Sequence, residues 1–302
     1  MTEPGTEFHS EIGAPVCFRH QDRETYIRCS RCERPICPDC MVSAPVGFHC
    51  PECVRAARSS VREARTVAGG KLVDRPTATY AILVVCVVAF GLEMLTGTDS
   101  AINRFGMIGG EVAINGQWYR LVTSAFLHVN ILHIAMNMYV LYIIAPVIER
   151  FLGHARFLIL YVLAGLGGSV ASFAFSSPNT ASVGASGAIF GLMGALLIMA
   201  RRTHANISQA MSLIGLNLVF GFLVPGIDWR AHLGGLFVGF AVAAIFGYAP
   251  RRNRVAVQAA GVIVIVALLA GIVSWRSATL NNEYSRSGQL ASGGLPGVSA
   301  PQ

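Results

Sequence analysis

Charge is what this sequence has least of. Asp, Glu, Lys and Arg make up only 13% of its 302 residues, while 53% are apolar, and soluble globular domains carry about 25% charged residues. A soluble chain of this length would bury a good core yet keep a charged surface, so the composition excludes that class and points to the membrane. Lysine is almost missing: Lys71 stands alone against 22 arginines. A secretory leader is not expected either, because the first 77 residues are polar and hold no apolar run of adequate length. The formal charge of +7 would suit nucleic acid, but the arginines flank apolar runs, which is the pattern of membrane topology. No nucleic-acid partner is expected.

What is present divides the chain. Residues 1–14 read as disordered, and 15–53 hold seven of the eight cysteines. Residues 54–77 form a basic cytoplasmic linker with Arg55, Arg58, Arg62, Arg65, Lys71 and Arg75, read either as a helix lying on an anionic inner leaflet or as a solvated tether. Seven apolar segments follow, at 78–96, 130–148, 156–175, 185–200, 208–224, 231–249 and 255–275. Most approach the ~20 residues that span ~30 Å of hydrocarbon. Backbone groups in lipid must be satisfied within the segment, which makes them helices. The predicted fold class is therefore an all-α membrane protein, with six core transmembrane helices within 78–250, a seventh within 251–275, and a disordered external tail at 276–302. Placing the N-terminus in the cytoplasm puts Arg150, Arg156, Arg201, Arg202, Arg251, Arg252, Arg254 and the six linker cations inside. Only Arg104, Arg120, Arg230, Arg276 and Arg286 then lie outside, as the positive-inside rule requires. The expected location is the plasma membrane, multi-pass, with the C-terminus external.

Four polar residues at the starts of apolar segments call for a reason. His133 and Asn137, at i and i+4, share one face of the second helix. Ser186 opens the fourth helix within Gly184-Ala185-Ser186-Gly187, and His232 opens the sixth. In the predicted topology these three helices run the same way, so all four residues fall at similar depth in the outer leaflet. Ser186 lies 15 residues before Arg201, about 22 Å of helix at ~1.5 Å per residue, which sinks it below the outer surface. Independent packing residues have no reason to agree in this way. A serine hydroxyl is a weak nucleophile and needs a base, which His232 can be. The oxyanion formed on attack needs preorganised donors, and His133, Asn137 and the Ser186 N–H at a helix start can supply them. A metal site is the rival reading of two histidines in a bundle, but no carboxylate or thiolate completes its shell. A soluble nucleophile elbow is excluded because no strand precedes Ser186.

These residues resemble the rhomboid intramembrane proteases over 78–250. The resemblance is carried by Gly116-Gln117-Trp118-Tyr119-Arg120, His133-x-x-x-Asn137, Gly184-x-Ser186-Gly187, and His232 followed by Gly235-x-x-x-Gly239. It implies a Ser–His dyad of Ser186 and His232, with His133 and Asn137 on the oxyanion side. Gly235 and Gly239 would form the small face that lets the sixth helix approach the fourth. Trp118 and Arg120 match a first-loop motif that is structural in the family; read as residues alone, they are interface anchors. Phe190 stands where many members have Tyr, and its ring could pack on the His232 imidazole without a hydroxyl. Asp228 is read as a loop residue beside Arg230 rather than a third catalytic member, and His128 as a loop or cavity histidine. Glu93 and Glu149, near span ends, read as solvated at the interface, and Cys86 as a packing residue. The implied reaction is hydrolysis of a peptide bond in or near a substrate's transmembrane segment, close to the outer face of the bilayer. The expected partners are membrane proteins with a helix-destabilised segment, and the lipid itself. The alternatives are a catalytically silent rhomboid-like binder of membrane proteins, and a metal-handling transporter, which would need more charge within its spans.

The cysteines fall as Cys17-x2-His20, Cys29-x2-Cys32, Cys37-x2-Cys40 and Cys50-x2-Cys53. Eight such ligands suffice for two tetrahedral zinc ions. Spacing alone permits consecutive or interleaved sites, and permits His49 to replace Cys50. The pattern resembles B-box-type zinc fingers, which implies the interleaved pairing of Cys17, His20, Cys37 and Cys40 for one ion and Cys29, Cys32, Cys50 and Cys53 for the other. Disulfides are the alternative, disfavoured in a reducing cytoplasm. The two zinc ions would be structural, since so small a module cannot bury enough apolar surface alone. No cofactor is expected for catalysis. The expected role of the module is binding of a cytoplasmic protein partner, or regulation.

Overall fold

The computed structural model describes residues 14–60, 64–224 and 226–292. Most of the stretch expected to be disordered at the N-terminus, Arg62 of the linker, and the last ten residues lie outside that range. The chain divides into two compact units, 1–63 and 64–302.

The first unit has little regular structure. A short 3-10 turn, Pro38–Cys40, is followed by an antiparallel pair, β1 (Val42–Ser43) and β2 (Phe48–His49), and by a helix, α1 (Pro51–Ser60). Val42 pairs with His49 and Ser43 with Phe48. Among its described residues, the fully buried side chains are four cysteines and Ile36.

The second unit is helical: α2 (Thr77–Thr96), α3 (Thr98–Phe105), α4 (Gly109–Ala113), α5 (Arg120–Thr123), α6 (Ile131–Leu152), α7 (His154–Phe175), α8 (Ser186–Thr203), α9 (Ile207–Leu223), α10 (Trp229–Tyr248) and α11 (Arg254–Ser292). All seven apolar segments are helices. Among the described residues, α2, α6, α7, α10 and α11 are long and apolar enough to cross a membrane, and α9 is a shorter apolar helix. This is a multi-pass membrane protein.

Side-chain caps set several helix starts. Asn130 Oδ1 accepts the His133 N–H at 2.8 Å, Asn206 Oδ1 accepts that of Ser208 at 2.8 Å, and Asp228 Oδ1 accepts those of Arg230 and Ala231 at 3.1 and 3.2 Å. The cap of α2 comes from another helix. Glu149, fully buried near the end of α6, accepts the N–H groups of Ala78 and Thr79 at 3.0 and 2.8 Å and the Thr79 hydroxyl at 2.6 Å. His154 lies against Oε1, the oxygen that accepts the Ala78 N–H. A carboxylate on free N–H groups at a helix start also complements the helix dipole. Glu149 is therefore a buried cap and not a solvated end group, and Glu93 is equally buried at 2% exposure.

The centre of the unit is α7, α8 and α10, whose faces are lined with glycine. A Cβ on Gly235 would sit 1.9 Å from the Gly187 carbonyl oxygen, and one on Gly239 would sit 2.3 Å from Gly191 Cα. Helices α8 and α10 thus meet main chain to main chain, as small-residue faces allow. Leu141, Phe157, Leu160, Leu192, Met193 and Val242 fill the surrounding core.

Two regions depart from expectation. The segment after α1 is neither a surface helix nor a free tether. Residues 64–75 fold into a turn bridged at Arg65 and Lys71, with Ala68 fully buried and its carbonyl accepting from Gln258 Nε2 at 3.0 Å. Gly70 permits this, because a Cβ there would lie 2.1 Å from the Leu152 carbonyl oxygen. The tail expected from 276 is instead helix as far as Ser292, since no proline interrupts it there. Leu280 is fully buried against a cluster that includes Met107, Val112 and Phe173, and Asn281 Nδ2 donates to the Ala113 carbonyl at 3.2 Å.

Candidate functional site

Ser186 is the first residue of α8 and His232 the fourth of α10. The glycine contact between these helices brings their ends together, and His232 Nε2 lies 2.9 Å from Ser186 Oγ. His232 is 7% exposed. The Phe190 ring, one turn below Ser186, stacks on the imidazole with centroids 4.2 Å apart and planes 16° from parallel. This fixes the ring plane that aims Nε2 at the hydroxyl. His232 Nδ1 has no protein partner. A Cβ on Gly221 of α9 would lie 3.0 Å from it.

No carboxylate reaches His232 Nδ1. Asp228 spends one oxygen capping α10 and accepts the Ser182 hydroxyl on the other at 2.6 Å. Ser182 belongs to a short strand, β4 (Ala181–Ser182), paired with β3 (Met107–Ile108) in the loop between α2 and α6. The approach to Ser186 is thereby tied both to that loop and to the start of α10.

His133 and Asn137 lie together on α6, as their spacing predicts. Gly184, two residues before Ser186, has φ +127°, which side chains other than glycine's rarely tolerate. A Cβ placed there would meet His133 Nε2 at 2.9 Å and Ser186 Oγ at 3.7 Å. His133 thus faces the serine across the backbone of Gly184. Asn137 is 7% exposed, and its Nδ2 has no protein partner. A donor set on α6 beside a serine on α8 can bind a negative oxygen formed between them.

Trp118 is half exposed. Arg120 is not an interface anchor: it is 4% exposed and donates to the carbonyls of Gly106 and Asn103 at 2.8 Å each, and to Gln117 Oε1 at 2.6 Å. It stitches the loop between α2 and α6 from within.

Two neighbours of the site were given no part in it by the sequence reading. Glu93 in α2 accepts the main-chain N–H of His128 at 3.0 Å. The fully buried His128 ring makes an edge contact with His133, with centroids 5.0 Å apart. A glutamate within an otherwise apolar run was the available signal.

In the first unit, all seven cysteines are free thiols. They form two interleaved groups with His20. Cys17, His20, Cys37 and Cys40 point ligand atoms to within 4.8 Å of one another, and Cys29, Cys32, Cys50 and Cys53 do the same. His49 belongs to neither group. The donors suit a soft, tetrahedral ion. Main-chain N–H groups support the sulfurs, with Cys50 donating to Cys29 Sγ at 3.2 Å and Cys53 to Cys50 Sγ at 3.3 Å. Arg34 Nε, 3.4 Å from Cys32 Sγ, holds that thiol below its usual range. Burial pushes Cys17 up, but the N–H groups of Cys37, Arg19 and His20 outweigh it and bring it down to about 6.

Comparison with known proteins agrees with this architecture. Residues 115–249 match the Rhomboid domain. Rhomboid protease GluP of Bacillus subtilis (strain 168) is 35% identical over 207 residues, covering 66% of this chain and 40% of GluP. YdcA of the same strain is 37% identical over 134 residues, 43% of this chain and 67% of YdcA. Rhomboid protease AarA of Providencia stuartii is 27% identical over 212 residues, 60% of this chain and 75% of AarA. The chain thus spans well under half the length of GluP, the first of these relatives. With its helical bundle, its glycine-lined pair of helices and these relatives, the chain belongs to the rhomboid family.

Proposed function

We propose that the chain is an intramembrane serine endopeptidase acting through a dyad of Ser186 and His232. The observation that carries this reading is the 2.9 Å hydrogen bond from Ser186 to His232 Nε2 beneath the stacked Phe190 ring. His232 Nε2 takes the hydroxyl proton as Oγ attacks the scissile carbonyl carbon. The oxyanion is met by His133, Asn137 and the Ser186 N–H at the start of α8. His232 returns the proton to the leaving amine, and water then releases the acyl group by the same steps in reverse. Gly184, Gly235 and Gly239 support the site by letting main chains approach, and Trp118 and Arg120 by holding the loop between α2 and α6. The substrates are membrane proteins whose transmembrane segment unwinds readily, cut near the outer face.

The arginine distribution supports a cytoplasmic N-terminus and an external C-terminus in the plasma membrane. We assign the cysteine module to 15–53 and the catalytic core to 78–250. Each group of four ligands in the module would hold one structural zinc ion, with no part in catalysis, and the module would serve a cytoplasmic protein partner.

The test is labelling of the detergent-solubilised protein with a serine-directed fluorophosphonate, alongside cleavage of a reporter transmembrane segment. Wild type should label and cleave, and Ser186→Ala should do neither. A folded wild type that does neither would mark the chain as a silent binder.

A further inference from the structure

Around His133 lie buried polar atoms that the proposed dyad does not hydrogen-bond. Glu93 Oε1, both ring nitrogens of His128 and His133 Nδ1 are all buried without a protein partner. Their residues are linked: Glu93 holds the His128 main chain, and the His128 ring contacts that of His133. An unsatisfied buried polar atom costs about 1–3 kcal/mol, so four on residues linked in this way are not simply tolerated. The ligand chemistry is not that of a metal. Among the described residues, the His, Cys, Asp and Glu groups that converge closely enough for an ion are the two in the cysteine module. Water is the occupant that satisfies such a set, because it donates two hydrogen bonds and accepts others.

With Glu93 taken as the carboxylate, which only accepts, water beside Oε1 gives it one O–H and has the other for a neighbouring imidazole. A neutral imidazole accepts on one nitrogen and donates from the other. Passed through the His128 ring, the same direction reaches His133 Nδ1 as a donor, and the ring proton of His133 must then sit on Nε2. That is the nitrogen facing Gly184 and Ser186.

We propose that Glu93 is a positioning residue which, through His128 and buried water, fixes His133 as an Nε2–H donor toward Ser186. Its catalytic consequence rests on the protease reading above; the tautomer itself does not. Glu93→Gln separates this role from mere anchoring, because the amide oxygen can still accept the His128 N–H while the added N–H2 donates where the carboxylate accepted. Glu93→Leu removes both.

The experiment pairs cleavage kinetics with 15N-histidine NMR, the His133 signals being assigned with His133→Asn. Spectra are recorded in a Ser186→Ala background so that they do not depend on activity. Glu93→Gln should melt at the wild-type temperature and lower kcat roughly 10- to 100-fold with KM unchanged, less than the 10²–10³ of losing a donor outright. The Glu93 protein should show the His133 proton on Nε2, and Glu93→Gln should shift it toward Nδ1. Wild-type kcat and an unchanged His133 tautomer in Glu93→Gln would overturn the proposal. So would a kcat loss that merely follows the melting temperature across both variants. If wild type fails to cleave, the protease reading falls, while the tautomer measurement still decides the role of Glu93.

Discussion

In residues 14–60 the side chains with no exposure at all are Cys17, Cys29, Cys37, Cys50 and Ile36. In residues 64–292 main chains approach each other closely, as where Gly235 meets Gly187 and Gly239 meets Gly191. The described residues of the first unit have almost no apolar core, so on the proposed reading a metal ion in each of its two groups of ligands supplies its cohesion. The second has apolar surface in excess, and in lipid that surface drives no collapse. Close packing and internal hydrogen bonds hold it instead. On that reading a unit held by ligation stands beside a unit held by fit, and each should fail under a treatment the other withstands.

The largest separation should come from chelation. Structural zinc in small fingers contributes about 10–16 kcal/mol of apparent binding free energy per ion, so a strong chelator should unfold the cysteine module, seen as loss of its dispersed NMR signals. Melting of the helical unit and fluorophosphonate labelling should stay unchanged, and a lowered melting temperature of that unit would break the comparison. Next in size, Ser186→Ala and His232→Ala should each lower cleavage by about 10⁴-fold or more while metal content and melting remain those of wild type. Asn137→Ala should lower kcat by roughly 10²–10³, again with no effect on the module. Gly239→Ala forces α8 and α10 apart and should cost about 1–3 kcal/mol of stability, measured by thermal unfolding in detergent. Gly91→Ala, on an α2 face where a Cβ would meet nothing within 4 Å, should leave the melting temperature unchanged or raise it. Among the substitutions expected to lower cleavage, the smallest effect belongs to Phe190→Leu, which keeps the bulk but loses the stacking on His232, worth about 0.5–1.5 kcal/mol. It should slow cleavage about 3- to 10-fold.

Periodicity and composition made the seven helices legible, because a span needs an apolar run and nothing else can satisfy its backbone. The three cysteine pairs and the Cys17–His20 pair were legible for a similar reason, since metal ligands come at short fixed spacing. His133 and Asn137 could be placed on one face from their i, i+4 spacing alone. The buried acids were not legible. Glu149 caps a helix that begins some 70 residues earlier in the chain, and Glu93 binds a main-chain group 35 residues away, so neither partner leaves a trace in the local pattern. The docked turn at 64–75 was hidden as well. Its arginines read as a surface stripe, while the glycine that lets it approach Leu152 carries no signal of its own. The extension of α11 was missed because falling hydropathy marks the end of a span, not the end of a helix.

The strand pair joining Met107 to Ser182, together with the Ser182–Asp228 hydrogen bond, works as a jig across the mouth of the bundle. The short segment leading into the nucleophile is clipped on one flank to a loop and on the other to the first turn of α10. Anything that grips or tugs that loop therefore loads the serine's own lead-in strand before it bends a single span.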